Sequence, residues 1–146
     1  MDLSPKGLDL LCEFEGKHKK QANGTYRAYR CPANVPTIYA GLTRGVHDGM
    51  VVTEEQGQKM LAKELAATED AVERLTKVPL NQNQFDAIVS LVYNIGVGAY
   101  QKSTLLKLLN QGKYDAVPAQ MQRWVNGGGR KLPGLVTRRK AEARLF

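Results

Sequence analysis

The feature that most constrains this chain is a change of texture at residue 53. From Lys17 to Val52 the sequence is broken every few residues by glycine, proline or the turn pairs Asn23-Gly24 and Asp48-Gly49, around short runs such as Thr37-Ile38-Tyr39. Such spacing leaves room for a small antiparallel sheet and little else. From Thr53 onward the periodicity becomes helical. Thr53-Glu54-Glu55-Gln56 reads as a capping box. Leu61, Leu65, Thr68, Val72 and Leu75 follow at helical spacing, which predicts one long helix ending before Pro79. A second cap at Asn81–Gln84 opens a buried helix carrying Phe85, Ile88, Val89 and Val92 and stopping near Gly96. Further helices are expected from Ser103 to Gly112, from about Asp115 to Trp124, and from about Val136 to Arg144, with Gly127-Gly128-Gly129 as a loop. The expected class is α+β: one domain over 1–146, with a small mixed lobe of about 1–53 and an all-helical lobe of about 54–146. The junction of two lobes is a common place for a ligand cleft.

Ahead of this break lies a short helix. Ser4 is its N-cap and Pro5 its first residue, and Gly16 is placed to end it. Leu8, Leu11 and Cys12 share one face, with Glu15 on the next turn of that face. Most glutamates are solvated surface groups, and that is the reading to beat. Here, however, an apolar face and the negative end of the helix dipole both disfavour a charged carboxyl. A general acid working near neutral pH needs those conditions. Further on, five residues, Pro32 to Pro36, separate Cys31 from Thr37. Read alone, these are a small buried residue and a strand threonine. Arg27 and Arg30 are close enough in sequence to lower a thiol pKa. His18 to Ala22 reads as a solvated loop.

Composition closes several routes. Two cysteines are too few for a disulfide framework, and neither they nor His18 and His47 show metal-ligand spacing, so no metal or cofactor is expected. No stretch approaches the ~18 apolar residues of a membrane span, and Met1 to Lys6 does not read as a signal peptide. Gly127 to Gly129 lacks the lysine and hydroxyl residue of a phosphate loop. The formal net charge of +7 favours a polyanionic partner, whether nucleic acid, anionic membrane or cell wall, and does not choose among them.

Phe14-Glu15-Gly16, then Ala28-Tyr29-Arg30-Cys31, then Pro36-Thr37-Ile38-Tyr39 resembles the active-site region of the phage lysozyme family, glycoside hydrolase family 24. That family uses Glu, then Asp or Cys, then Thr, with five residues between the last two. The stretches Asn83 to Ser90, Tyr93 to Tyr100, Ser103 to Leu106, Arg123-Trp124 and Leu132 to Arg139 continue the likeness over nearly the whole chain. There are two departures. Fifteen residues lie between Glu15 and Cys31, more than the family pattern has, with His18 to Gly24 as the expected surface insertion. The family's histidine after the catalytic threonine is missing from Tyr39-Ala40-Gly41-Leu42-Thr43.

The resemblance implies a lysozyme-like fold and an endolysin that hydrolyses the β-1,4 bonds between N-acetylmuramic acid and N-acetylglucosamine in peptidoglycan. Glu15 would protonate the glycosidic oxygen. Cys31 and Thr37 would hold or activate water on the opposite sugar face, as an inverting mechanism requires. Arg138 or Arg139 would pair with Glu15, and Tyr93, Asn94 and Ser103 are candidates for the cleft wall, with helix packing and capping as their ordinary alternatives. Trp124 suits core packing better than sugar stacking. The implied partners are peptidoglycan glycan strands, with no nucleic acid and no stable membrane association. The implied enzyme is a monomer held in the host cytoplasm until a holin-type lesion admits it to the periplasmic peptidoglycan. A lytic transglycosylase on the same bond and a non-catalytic basic wall-binding module are the alternatives; a zinc amidase lacks its ligands.

Overall fold

A computed structural model describes residues 1–146. Helix α1 spans Pro5–Glu15. The Ser4 side chain caps it by accepting from the Gly7 amide at 3.1 Å, and Gly16, at φ 61°, ends it. Its buried stripe is Gly7, Leu11 and Glu15, one residue every fourth position. Leu8 and Cys12, expected on that face, are exposed instead. The stripe is narrow because α1 packs chiefly on one neighbour, and Gly7 lies so close to the buried Asp86 that a Cβ there would fall 2.5 Å from its carboxyl carbon.

The Gly- and Pro-broken region forms two separate antiparallel ribbons rather than one sheet. β1 (Tyr26–Arg27) pairs with β4 (Val51–Val52), and β2 (Tyr29–Arg30) pairs with β3 (Pro36–Thr37). The second register sets Tyr29 opposite Thr37. The expected loop at His18–Ala22 is partly tied down. The His18 amide donates to the Tyr39 carbonyl at 3.1 Å, and Lys20 bridges to Tyr26. Six buried residues, Tyr26, Ile38, Tyr39, Ala40, Leu42 and Val52, form the core here.

Helix α2 (Glu54–Leu75) begins at the expected capping box on Thr53 and Gln56. Met60 and Leu61 pack on the six-residue core, whereas Val72 belongs to a second core of thirteen buried residues, against which Leu75 packs. That core is built around α3 (Gln82–Ile95), buried continuously from Phe85 to Val92. A near all-round apolar helix must be enclosed. Around it lie α4 (Val97–Gln101), α5 (Thr104–Asn110), α6 (Val117–Met121) and α7 (Pro133–Leu145).

Four expectations change in detail. Val97–Gln101, between two expected helices, is itself a short helix. The helix expected over 115–124 is a 3-10 turn, Tyr114–Ala116, followed by the short α6. The triple-glycine stretch is a hairpin, β5 (Asn126–Gly127) with β6 (Arg130–Lys131), turning on Gly128 and Gly129 at positive φ. The last helix starts earlier, at Pro133, because proline suits its first turn. No helix is long and apolar enough to cross a membrane, and no three His, Cys, Asp or Glu side chains gather to hold a metal ion.

Candidate active site

Glu15 is the last residue of α1 and is 9% exposed. Arg138 of α7, 123 positions away in sequence, donates from Nη1 to its Oε1 at 2.5 Å. The same guanidinium donates from Nε to Glu142 Oε2 at 3.1 Å and from Nη2 to the Ser90 carbonyl at 2.9 Å. Arg139, the alternative partner, turns away from Glu15. Its Nη1 donates to Glu142 at 2.5 Å, its Nε to the Trp124 carbonyl at 2.9 Å, and its Nη2 to Asn94 Oδ1. The other oxygen of Glu15, Oε2, lies against Gly41, where a Cβ would stand 2.0 Å from it. Gly41 also has φ +75°, which favours glycine. Arg138 therefore fixes one side of the carboxyl and a bare backbone the other.

Cys31 and Thr37 come from the β2–β3 ribbon. The Cys31 amide donates to the Val35 carbonyl at 3.1 Å, and the Asn34 amide donates back to the Cys31 carbonyl at 2.8 Å. This tight turn needs Asn34 at φ 61°, a conformation asparagine tolerates. Thr37 is buried and donates from Oγ1 to the Val35 carbonyl at 2.8 Å. Burial pushes the half-buried Cys31 thiol up. The polar groups of the turn around it, first the backbone at Val35, then the Thr37 hydroxyl and the backbone at Ala33 and Cys31 itself, favour the thiolate and outweigh burial, leaving the thiol below its ordinary range. Arg30, expected to do this, is engaged elsewhere, with Asp48 at 2.6 Å and the Asn34 carbonyl at 2.9 Å. The cause is hydrogen bonding in the turn, not a neighbouring cation.

These side chains share one cleft of about 510 Å³. Glu15, Phe14, Gly41 and Arg138 make up one stretch of its wall, Tyr29, Cys31, Pro32 and Thr37 of the β2–β3 ribbon another, and Asn94 and the Leu132–Leu135 stretch also line it. An adjoining cavity of about 370 Å³ shares Cys31, Pro32, Asn94, Leu132 and Leu135 and extends the groove to Trp124 and Asn126. Trp124 thus serves both readings, packing partly on the large core and lining the groove.

The sequence model of the phage lysozyme family matches residues 19–142. The chain is 43% identical over its whole length to the endolysin of Acyrthosiphon pisum secondary endosymbiont phage 1, covering 98% of that protein. It covers 54% of the endolysin of Bacillus phage B103, at 36% identity. Its fold matches the muramidase domain of SpmX from Asticaccaulis excentricus over 99% of this chain and 97% of that one, with a TM-score of 0.81 and 32% identity. The chain belongs to the phage lysozyme family. It is accordingly a lysozyme-type glycoside hydrolase with a lysozyme-like α+β fold, an endolysin that cleaves peptidoglycan.

Within this family frame, two of the expected wall residues fall outside the cleft lining. The Tyr93 hydroxyl donates to the Ala40 carbonyl at 2.6 Å and ties α3 to the smaller core. Ser103 caps α5, accepting from the Leu106 amide at 3.0 Å. For both, the packing or capping alternative describes the contacts. Three residues that line or brace the site went unnoticed in the sequence. Tyr29 lies two positions before Cys31, hence on the same face of the ribbon, and that period was the available signal. Burial and the nearby charges of Glu15 and Cys31 push its hydroxyl up to about 12, so it remains a donor in the cleft. Gly41 and Glu142 act by long-range contact and carry no local signature.

Proposed function

We propose that Glu15 is the general acid of a muramidase that hydrolyses the β-1,4 bond between N-acetylmuramic acid and N-acetylglucosamine. It protonates the leaving oxygen, while Cys31 and Thr37 hold water on the opposite face of the sugar, giving inversion. The observation that carries this reading is that Glu15 from α1 and the Cys31–Thr37 pair from the β2–β3 ribbon line the same cleft. Arg138 orients the acid, and Asn94 belongs to the glycan-binding wall. The whole chain, 1–146, works as one lysozyme-like domain, with the acid and water-holding residues in about 1–53 and the helical wall in about 54–146. It acts as a monomer, without a cofactor, and reaches the periplasmic peptidoglycan from the host cytoplasm through a holin-type lesion.

Glu15→Gln tests the assignment. The amide keeps size and shape but has no acidic proton, so lysis of permeabilised Gram-negative cells should fall at least ~100-fold with the circular dichroism unchanged. Clearing at near wild-type rate would overturn it.

A further inference from the structure

The turn from Ile38 to Leu42 brings the Gly41 backbone against Oε2 of Glu15, and two helices hold that turn in place. Ile38 and Leu42 close it with two backbone hydrogen bonds, at 2.9 and 3.0 Å. Tyr39 sits in it at φ 58°, a left-handed conformation that strains a bulky residue and persists only where the surroundings impose it. Helix α2 imposes it on one side. The Tyr39 hydroxyl donates to Glu54 Oε1 at 2.8 Å, and Lys17 Nζ pairs with the same oxygen at 2.6 Å. The Tyr39 ring lies so close to α2 that a Cβ on Gly57 would fall 2.5 Å from its Cδ1. Helix α3 acts on the other side, where the Tyr93 hydroxyl donates to the Ala40 carbonyl at 2.6 Å. Burial pushes both hydroxyls up, so each remains a donor at neutral pH.

We infer that Tyr39 and Tyr93 are positioning residues for the reaction: their hydroxyls, one bonded to Glu54 and the other to the Ala40 carbonyl, hold the 38–42 turn so that the Gly41 backbone seats Glu15. This rests on the reading of Glu15 as general acid. Neither tyrosine is among the residues lining the cleft, so both act through the backbone between them. Arg138 grips Oε1 from one side, and one such contact leaves the carboxyl free to pivot about it. The backbone at Gly41 stops the pivot by occupying the space beside Oε2. A turn that relaxes lets the acidic proton leave the line to the glycosidic oxygen, which lowers rate and spares affinity. A turn without a task would carry glycine at position 39, which adopts the same conformation free of strain. Here the strain of Tyr39 is retained together with the hydroxyl that ties it to α2.

Initial rates on soluble, uncrosslinked peptidoglycan strands separate kcat from KM. Tyr93→Phe deletes one oxygen and keeps the ring, so kcat should fall ~10-fold with KM within about twofold of wild type. Tyr39→Phe should give the same split. Tyr100→Phe is the matched control. Its hydroxyl bonds to Thr76 Oγ1 at 2.7 Å in the large core, outside the cleft lining, so this variant should lower Tm and leave kcat at the wild-type value. Because the hydroxyls act through the turn, Tyr93→Phe added to Gly41→Ala, where the seat is already displaced, should cost less than about twofold more. A wild-type kcat in either phenylalanine variant overturns the inference. So does a rise in KM in place of the fall in kcat, an equal loss of kcat in Tyr100→Phe, or the full ~10-fold loss repeated on Gly41→Ala. Should one phenylalanine variant fail to fold, the other decides alone by the same criteria. Failure of the underlying reading looks different, as an active Glu15→Gln enzyme whatever the tyrosine variants do.

Discussion

The two walls of the cleft are built on different principles. The Glu15 wall is held from a distance: a buried carboxyl is gripped by Arg138, which is gripped in turn by Glu142 and Ser90. The Cys31–Thr37 wall is held locally, by one tight turn in which the backbone joins Cys31 to Asn34 and Val35 and the Thr37 hydroxyl donates to Val35. In the proposed mechanism the acid has to be aimed at the leaving oxygen, and a network of buried ion pairs can hold it there. In the same proposal the second wall has only to present a sulfur and a hydroxyl to a water molecule, which a short ribbon can do. The difference predicts that damage to the first wall spreads into the core, whereas damage to the second stays in the reaction.

Arg138→Gln should be the most damaging change on both counts. It leaves Glu15 without its cation and Glu142 half paired in a buried setting, a cost of about 3–5 kcal/mol. In thermal unfolding that should appear as a fall on the order of 10 °C in Tm, together with loss of lysis. Gly41→Ala comes next. Its Cβ would meet Glu15 Oε2 at 2.0 Å in a backbone conformation that disfavours alanine. Displacing the carboxyl by about 1 Å should cost ~100-fold in kcat/KM with a much smaller change in Tm.

On the other wall Cys31→Ala should lose at least ~10-fold in rate and leave Tm within about 1 °C, because a half-exposed thiol contributes little packing. Cys31→Asp should stay active, and its pH profile sharpens the comparison. Hydrogen bonds in the turn stabilise the thiolate. A thiolate base gives an acidic limb where rate rises with deprotonation. A carboxylate deprotonates near ~4 rather than ~8.5, so the limb should move to lower pH in the aspartate variant. A limb that does not move would make the thiol a neutral positioner of water. The smallest effect is expected at the basic segment before β1. Lys19→Ala with Lys20→Ala should weaken attraction to the anionic wall at low salt, and the difference from wild type should vanish near ~1 M salt, where the screening length is ~3 Å. A deficit persisting at high salt would mean that these residues shape the site.

The contrast between the walls also explains what the sequence revealed. The Cys31–Thr37 wall was legible only through the family resemblance, which its five-residue spacing helps to carry; read alone, the pair is a small residue and a strand threonine. Glu15 was legible as a helix end on an apolar stripe, although Leu8 and Cys12 were wrongly included in that stripe. Its partner was not legible. Arg138 and Arg139 are adjacent on one helix, so their side chains point about 100° apart, and only the packing of α7 on α3 selects which one reaches Glu15. Ser103 shows the converse limit. Its hydroxyl sits before a helix, and capping accounts for it without any cleft role. The Gly127–Gly129 hairpin was missed for another reason. Glycines at positive φ permit a turn without specifying strands, and the paired residues Asn126 and Lys131 have no β preference to announce them.

The central claim is that one wall gives a proton and the other gives water. The products of purified peptidoglycan test both halves at once, followed by mass spectrometry and by NMR of the first-formed anomer. Water delivered from the Cys31–Thr37 side predicts ordinary reducing ends that appear first as the α-anomer, inverted from the β bond cleaved. A dominant 1,6-anhydro product would show that no water is used, and a first-formed β-anomer would show that it arrives from the same face as the acid; either result would contradict the account.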